Sequence, residues 1–286
     1  MSQDLHEANR LSWNAATAAH NSHKGDQAAW LRAGGDTLFP EELELLGPLD
    51  GVSLVHLQCN AGQDSLCLAR RGARVTGVDI SDEAVGFATK LSEESGIAAS
   101  FEREDVFTWL ERAGLEGRRW DVAFSSYGAL PWLSDVRAWA RGIAGVLRPG
   151  GRFVLVEFHP VAQMFDDQMR LNWSYSGGGR PWIWEQGVSD YVARSGAGLL
   201  HGAEYQEGVV DFQNPHACHE FFWGIGEVVQ ALLDAGLMLE TLREYPYTNG
   251  CVFYEGQHSD DGRRYRLPEG VPELPLMYGL SARKPA

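Results

Sequence analysis

The stretch VSLVHLQCNAGQD, residues 52–64, decides the fold. VSLVHL (52–57) is a short apolar run that reads as a buried strand, and the segment that follows Gly62 takes up helical spacing over 63–71. A strand that turns through a short loop into a helix opens a βα unit, and the pattern then repeats. ARVTGV (73–78), AASFER (98–103), DVAFSS (121–126) and RFVLVEF (152–158) read as four more strands, separated by helical segments at 82–95, 106–113 and 134–147. In 82–95, Ala84, Val85, Ala88 and Leu91 share one face, with Ser81 and Asp82 as capping residues. Asp135, beside Ser134, opens the last of these helices, and LRPGG (147–151) ends it, because proline cannot continue a helix and glycine supplies positive φ. The alternation predicts a parallel sheet with right-handed crossovers.

Beyond residue 160 the period is lost. Residues 161–223 hold eleven aromatics between Phe165 and Trp223 among scattered glycines, and no βα unit is readable there. Regular spacing returns with a helix at 226–235, where Val228, Val229, Leu232 and Leu233 share a face and Gly236 is the stop. Strands at 237–244 and 275–284 follow. The simplest organisation is an α/β core made of 45–160 and 224–286, an N-terminal helical lid at 1–44, and an inserted aromatic-rich cap at 161–223.

At 286 residues and 44% hydrophobic the chain can bury a sizeable core, as one large or two small domains. A formal charge of −15 repels phosphate backbones and anionic headgroups, so nucleic acid and membrane surfaces are not expected partners. No apolar run reaches the roughly 18 to 20 residues of a membrane span, and the opening MSQDLHEANR lacks a signal peptide's cationic head and apolar run, so a cytoplasmic location is expected. Cys59, Cys67, Cys218 and Cys251 form no CxxC pair, which points to reduced thiols rather than disulfides or zinc.

In such a sheet the first strand ends where ligands bind. Gly62 offers room for backbone to approach a ligand, and Asp79 closes the second strand, where a carboxylate can accept both hydroxyl protons of a ribose. A dinucleotide needs G-x-G-x-x-G to cradle a pyrophosphate, whereas this loop has Gln58, Asn60 and Gly62; G-x-x-x-x-G-K-[ST] is absent too. An adenosine cofactor without phosphates, S-adenosylmethionine, fits what remains, with Asp105 after the third strand for the adenine amino group. Asp79 and Asp105 could each also cap the helix that follows.

At these residues the chain resembles the class I S-adenosylmethionine-dependent methyltransferase family, over roughly 8–160 and 224–286. HLQCNAGQD (56–64) stands where that family has an acidic residue and a glycine-rich loop, with His56 in the acid's place; VTGVDIS, EREDV, DVAFSSYGAL and LRPGGRFVLVEFHP resemble its later motifs in order. The resemblance implies a Rossmann-like, mostly parallel seven-stranded sheet with helices on both faces and the last strand antiparallel beside the fifth. It implies Asp79 and Ile80 at the ribose, Asp105 and Val106 at adenine, and Ser125, Ser126 and Tyr127 under the methionine portion. Leu57, Gln58, Cys59, Asn60 and Gly62 in the loop 57–62 would face the amino-acid end, and Asp64 and Ser65 would also belong to the cofactor site. In the N-terminal segment NRLSWNAATAAH (9–20), Trp13 and His20 are the candidates to close over the cofactor.

Methyl transfer from a sulfonium asks mainly for alignment and exclusion of water; a base helps where the acceptor must lose a proton. His159, just past the fifth strand, is the expected base, though it is equally placed to fix the turn before Pro160; Tyr127 and Tyr175 are the other catalytic candidates, with Glu157, His216 and His219 behind them. His216 and His219 have i, i+3 spacing but no further ligand cluster, so no metal is expected. The aromatic segment suits a flat or cationic acceptor. The expectation is methylation at N, O or C of a small aromatic or heteroaromatic metabolite by a monomer or homodimer. The altered loop leaves a second reading, a cofactor-binding regulatory protein without catalysis; the missing pyrophosphate glycines count against a third, an NAD-dependent oxidoreductase.

Overall fold

The computed structural model describes residues 2–199, 205–259 and 261–286. Its centre is a sheet of seven strands: β1 (Ser53–Leu57), β2 (Arg74–Asp79), β3 (Ser100–Arg103), β4 (Trp120–Ser126), β5 (Leu147–Phe158), β6 (Met238–Tyr245) and β7 (Met277–Arg283). Their order is β3-β2-β1-β4-β5-β7-β6. The first five are parallel, and β7 runs antiparallel between β5 and β6. The crossover between β1 and β4 is the switch in strand order at which α/β sheets bind ligands.

Nine helices accompany the sheet among the described residues: α1 (Ser2–Ser22), α2 (Gln27–Arg32), α3 (Pro40–Leu46), α4 (Gln63–Arg70), α5 (Asp82–Ser95), α6 (Val106–Leu115), α7 (Val136–Val146), α8 (Tyr191–Ser195) and α9 (Ile225–Asp234). Strand residues alternate between the two faces, as a period of two requires. Phe153 and Leu155 pack with Trp109, Trp139 and Leu232 from α6, α7 and α9. Val154 and Phe124 face the other way, onto Leu31, Leu46 and Leu66 from α2, α3 and α4. All five residues of β1 are buried, the polar Ser53 and His56 included, as in a strand covered on both faces.

Two segments differ from expectation. The turn expected at 147–151 lies inside β5, which begins at Leu147 and pairs there with Trp120 before the register shifts. Gly150 has the positive φ foreseen for it, +75°, but the segment is held to the end of the sheet by Gly150 N–H to Lys284 O and Lys284 N–H to Gly151 O. Within 161–223 there is short regular structure after all: Pro181–Trp184 pairs antiparallel with Cys218–Phe221. Two four-residue strands far apart in sequence leave no periodic trace. Another small pair, Tyr247–Asn249 with Arg264–Arg266, sits between β6 and β7.

α1 lies across the tips of the strands. Arg10 pairs with Asp82, Asn14 Oδ1 accepts from the Ser81 hydroxyl at 2.7 Å, and His6 Nδ1 is 2.9 Å from Asp105. Its other side is clamped to the inserted segment, where Asn9 Nδ2 donates to His219 O at 2.9 Å and His219 N–H donates to Asn9 Oδ1 at 2.7 Å. Among the described residues no helix is long and apolar enough to cross a membrane. All four cysteines are free thiols.

Candidate active site

The loop from β1 to α4 makes its turn with few glycines. Gln58, Asn60 and Gly62 all have left-handed backbones, at φ +56°, +48° and +79°. For an L-residue that conformation costs about 1–2 kcal/mol, and side-chain bonds hold the two polar residues in it. Gln58 Nε2 donates to Ala129 O at 2.7 Å; Asn60 Oδ1 accepts from Ala61 N–H at 2.6 Å and its Nδ2 donates to the Tyr191 hydroxyl at 3.3 Å. Gln58 Oε1 is left buried without a donor. Gly62 differs from expectation. A Cβ there would stand 2.6 Å from Ala88 Cβ and 3.0 Å from the Phe101 ring, so its missing side chain lets α4 approach α5 and β3, and the residue does not border the cavity.

The strand tips open into one cavity of about 750 Å³, within the usual range for a small-molecule site. Trp13, Gln58, Cys59, Asn60, Asp64, Asp79, Ile80, Asp105, Val106, Ser126 and Tyr127 line it. Leu57, Ser65, Ser125 and His20 stand behind the wall. Ser65 and Ser126 hold the two ring nitrogens of His56 at 2.9 and 3.3 Å, and burial pushes the imidazole down to about 3, so His56 is neutral. His20 props the wall from outside: its Nε2 bonds Ser189 O at 3.0 Å, its ring lies 4.2 Å from that of Tyr191, and burial brings it down to about 4.

Asp79 accepts Asn60 N–H on Oδ2 at 2.8 Å and Ser81 N–H on Oδ1 at 2.9 Å. Burial pushes its pKa above the ordinary carboxylate value, and the N–H groups of Ser81, Asn60 and Ile80 pull it part of the way back. Each oxygen keeps a lone pair for a further donor. Asp105 does cap a helix: its Oδ1 accepts from Phe107 and Thr108 N–H at 3.0 and 3.2 Å. Burial would raise its pKa, but His6 and these N–H groups together hold it below the usual value. Five carboxylates border the cavity, Asp64, Asp79, Glu104, Asp105 and Glu220, against the cations Lys24 and Arg194.

Of the three expected catalytic residues, Tyr127 alone reaches the cavity. Its backbone is left-handed at φ +23°, its N–H donates to Val156 O at 2.8 Å, and burial keeps its phenol protonated by raising the pKa well above the usual value. His159 lies outside the wall, 3% exposed, with Nε2 2.9 Å from Glu244 Oε1 and Nδ1 accepting Val161 N–H at 3.1 Å. It fixes the turn after β5. Tyr175 lies outside as well, its hydroxyl accepting Ile225 N–H at 3.2 Å at the start of α9. Glu157 organises the chain beyond β4, accepting the N–H groups of Gly128, Ala129 and Leu130 at 2.5, 2.8 and 3.0 Å. His216 and His219 do not line the cavity.

Several lining residues carry no sequence signal. Glu220 directly follows His219 but lies in a strand that sequence does not reveal; Trp184 Nε1 donates to its Oε2 at 2.7 Å, and burial raises it to about 7. Phe39 precedes α3, and Asn249, Cys251 and Phe253 come from the Pro- and Gly-rich stretch between β6 and β7. Of the eleven aromatics in the inserted segment, Trp184 and Tyr191 border the cavity.

Residues 55–151, from β1 into β5, match the family described as a methyltransferase domain. The matched stretch carries the first four parallel strands of the seven-stranded sheet and the start of the fifth. A ubiquinone biosynthesis O-methyltransferase of Methylobacterium sp. (strain 4-46) is 30% identical over 138 residues, 48% of this chain and 51% of that protein. The chain thus spans about half the length of the curated relatives it matches. Two solved S-adenosylmethionine-dependent methyltransferases have the same fold. One, from Mesorhizobium loti, has a TM-score of 0.54 at 20% identity, covering 88% of this chain and 99% of that one. A second, putative one from Listeria monocytogenes has a TM-score of 0.54 at 17% identity, covering 91% and 99%. Within the matched residues Asp79 and Asp105 stand at adjacent parallel strand tips, β2 and β3, and Gln58 and Tyr127 at the neighbouring tips of β1 and β4.

Proposed function

We propose that this protein transfers a methyl group from S-adenosylmethionine to a small aromatic or heteroaromatic acceptor at N, O or C. The observation that carries the reading is one cavity in which a half-buried carboxylate with free lone pairs, Asp79, stands beside a second, Asp105, while among the described residues no glycine-rich phosphate cradle borders it. The donor set suits that cofactor. An excess of carboxylates favours a ligand bearing a sulfonium and an ammonium against a single carboxylate. Gln58 Oε1 is a buried acceptor without a donor, which an ammonium would satisfy, so Gln58 takes over the task that neutral His56 cannot perform.

Asp79 and Ile80 would hold the ribose, Asp105 and Val106 the adenine, and Gln58, Cys59, Asn60, Asp64 and Ser126 the amino-acid end, with Lys24 the nearby cation for its carboxylate. Burial lowers the Lys24 ammonium to about 8, and a carboxylate partner would restore it. Trp13 and the rest of α1 form the lid, and Trp184, Tyr191 and Glu220 come from the cap. When bound, the cofactor supplies an electrophilic methyl group. The chain's own work is to orient the acceptor and exclude water. Where the acceptor must lose a proton, Glu220, raised to about 7, is the lining carboxylate suited to take it near neutral pH.

S-adenosylhomocysteine should raise the melting temperature where NAD does not. Protection by NAD alone would remove the reading, and tight S-adenosylhomocysteine binding without turnover on any aromatic acceptor would favour a regulatory protein on the same fold.

A further inference from the structure

At one end of the cavity two polar atoms remain that the cofactor roles leave over. Asn249, closing the short strand Tyr247–Asn249, is 2% exposed and borders the cavity. Its Nδ2 donates twice, to Glu41 Oε2 at 3.1 Å and to the Tyr127 hydroxyl at 2.9 Å. The carboxylate fixes which way the amide points, since it accepts and does not donate. Asn249 Oδ1 is therefore left buried with no donor. Tyr127, having accepted from Asn249, keeps its own proton to give, and among the described residues no group receives it. A buried amide oxygen without a donor is costly, and its presence against a cavity calls for a ligand N–H or O–H.

The surroundings narrow the ligand. The Tyr127 ring lies 6.1 Å from Phe39, edge-on, and 5.6 Å from Phe158, which in turn is 4.7 Å from Phe253; all three phenyl rings border the cavity. Behind them stand Glu41, 6% exposed, and Glu42, fully buried, and the Arg263 guanidinium lies over the Phe39 ring, 3.8 Å from its centre; a carboxylate ligand would bring Asn249 Oδ1 no proton to accept. Glu41 also accepts from Tyr247 at 2.7 Å and Arg264 at 2.9 Å, which makes it the positioning residue for Asn249.

The geometry points to an acceptor subsite in which the Tyr127 hydroxyl donates to, and Asn249 Oδ1 accepts from, the polar edge of a neutral planar ligand held among Phe39, Phe158 and Phe253. A ring hydroxyl serves both contacts with one oxygen, and a lactam edge serves them with adjacent C=O and N–H. This rests on the methyltransferase reading and adds the class of acceptor to it.

The test uses the full chain saturated with S-adenosylhomocysteine and three probes of similar shape: 2-quinolone, a neutral lactam; naphthalene, without a polar edge; and 2-naphthoate, an anion. Ligand-observed NMR should show 2-quinolone binding at least about tenfold more tightly than naphthalene, with 2-naphthoate unable to displace it. Asn249→Ala should weaken 2-quinolone about tenfold while calorimetry shows S-adenosylhomocysteine binding unchanged, and Tyr127→Phe should weaken 2-quinolone by a similar factor. Equal binding of 2-quinolone and naphthalene, preference for 2-naphthoate, or undiminished 2-quinolone binding in both variants would overturn the subsite. Failure of wild-type protein to bind S-adenosylhomocysteine at all would instead overturn the methyltransferase reading.

Discussion

Asp79 Oδ2 accepts the backbone N–H of Asn60 at 2.8 Å, so the carboxylate at the tip of β2 also holds the loop that leaves β1. The two strands are already in register as far as Leu57 opposite Val78, and Cys59 N–H continues the pairing to Val78 O at 2.9 Å. The left-handed turn at Asn60 is thus set by the group that would meet the ribose, and loop shape and ligand contact cannot be changed independently.

Asp79→Ala should therefore weaken S-adenosylhomocysteine by about ten- to a hundredfold, the range for losing charge-assisted hydrogen bonds. Titration calorimetry measures this, and unchanged affinity would remove the ribose assignment. Asp79→Asn, which keeps one acceptor oxygen, should fall between the two.

Glu220 makes a pH-dependent prediction. An ordinary glutamate titrates near 4.5 and this one near 7. Between those values the folded chain holds a proton that the unfolded chain has released, so stability from this group falls as pH rises through about 4.5 to 7. Glu220→Gln should be more stable than the parent at pH 8, by on the order of 1–3 kcal/mol, and nearly equal to it at pH 4. Denaturant unfolding at both pH values checks the sign. On an acceptor that must lose a proton, the same variant should also flatten the rise of turnover near pH 7.

His159→Ala should leave S-adenosylhomocysteine affinity and turnover unchanged, because the imidazole faces Glu244 and the Val161 N–H outside the cavity. Its cost should be on the order of 1 kcal/mol of stability. A loss of turnover with normal stability would return His159 to the chemistry.

Gly62 and Gly96 separate backbone strain from crowding. Both have positive φ, +79° and +71°, but a Cβ on Gly96 meets open space and one on Gly62 meets Ala88 at 2.6 Å. Gly96→Ala should cost about 1 kcal/mol, and Gly62→Ala about 2–4 kcal/mol in total because overpacking adds to strain. Equal unfolding free energies for the two variants would show that α4 and α5 have room to separate.

The core was legible because buried parallel strands and amphipathic helices write their periods directly into the chain: β1 is buried throughout and mostly apolar, and Ser81 marks the start of α5 by bonding Ala84 N–H at 3.1 Å. The cavity's lining was legible where it comes from the ends of those strands, as with Asp79, Asp105 and Tyr127. His159 and Tyr175 were misplaced because sequence tells that a residue follows a strand or lies in an aromatic segment, and not which way its side chain turns.

Sequence alone determined the strand–helix alternation and the polar loop at 58–62, since both follow from local period and residue type within a dozen neighbours. Tertiary structure decided that Gly62 serves helix packing, that neutral His56 is shared by Ser65 and Ser126, and that Glu220 and Asn249 meet the cavity. Those facts depend on contacts between segments as far apart as 208 residues, Glu41 to Asn249, and on burial, which changes protonation only once the chain has closed around the group.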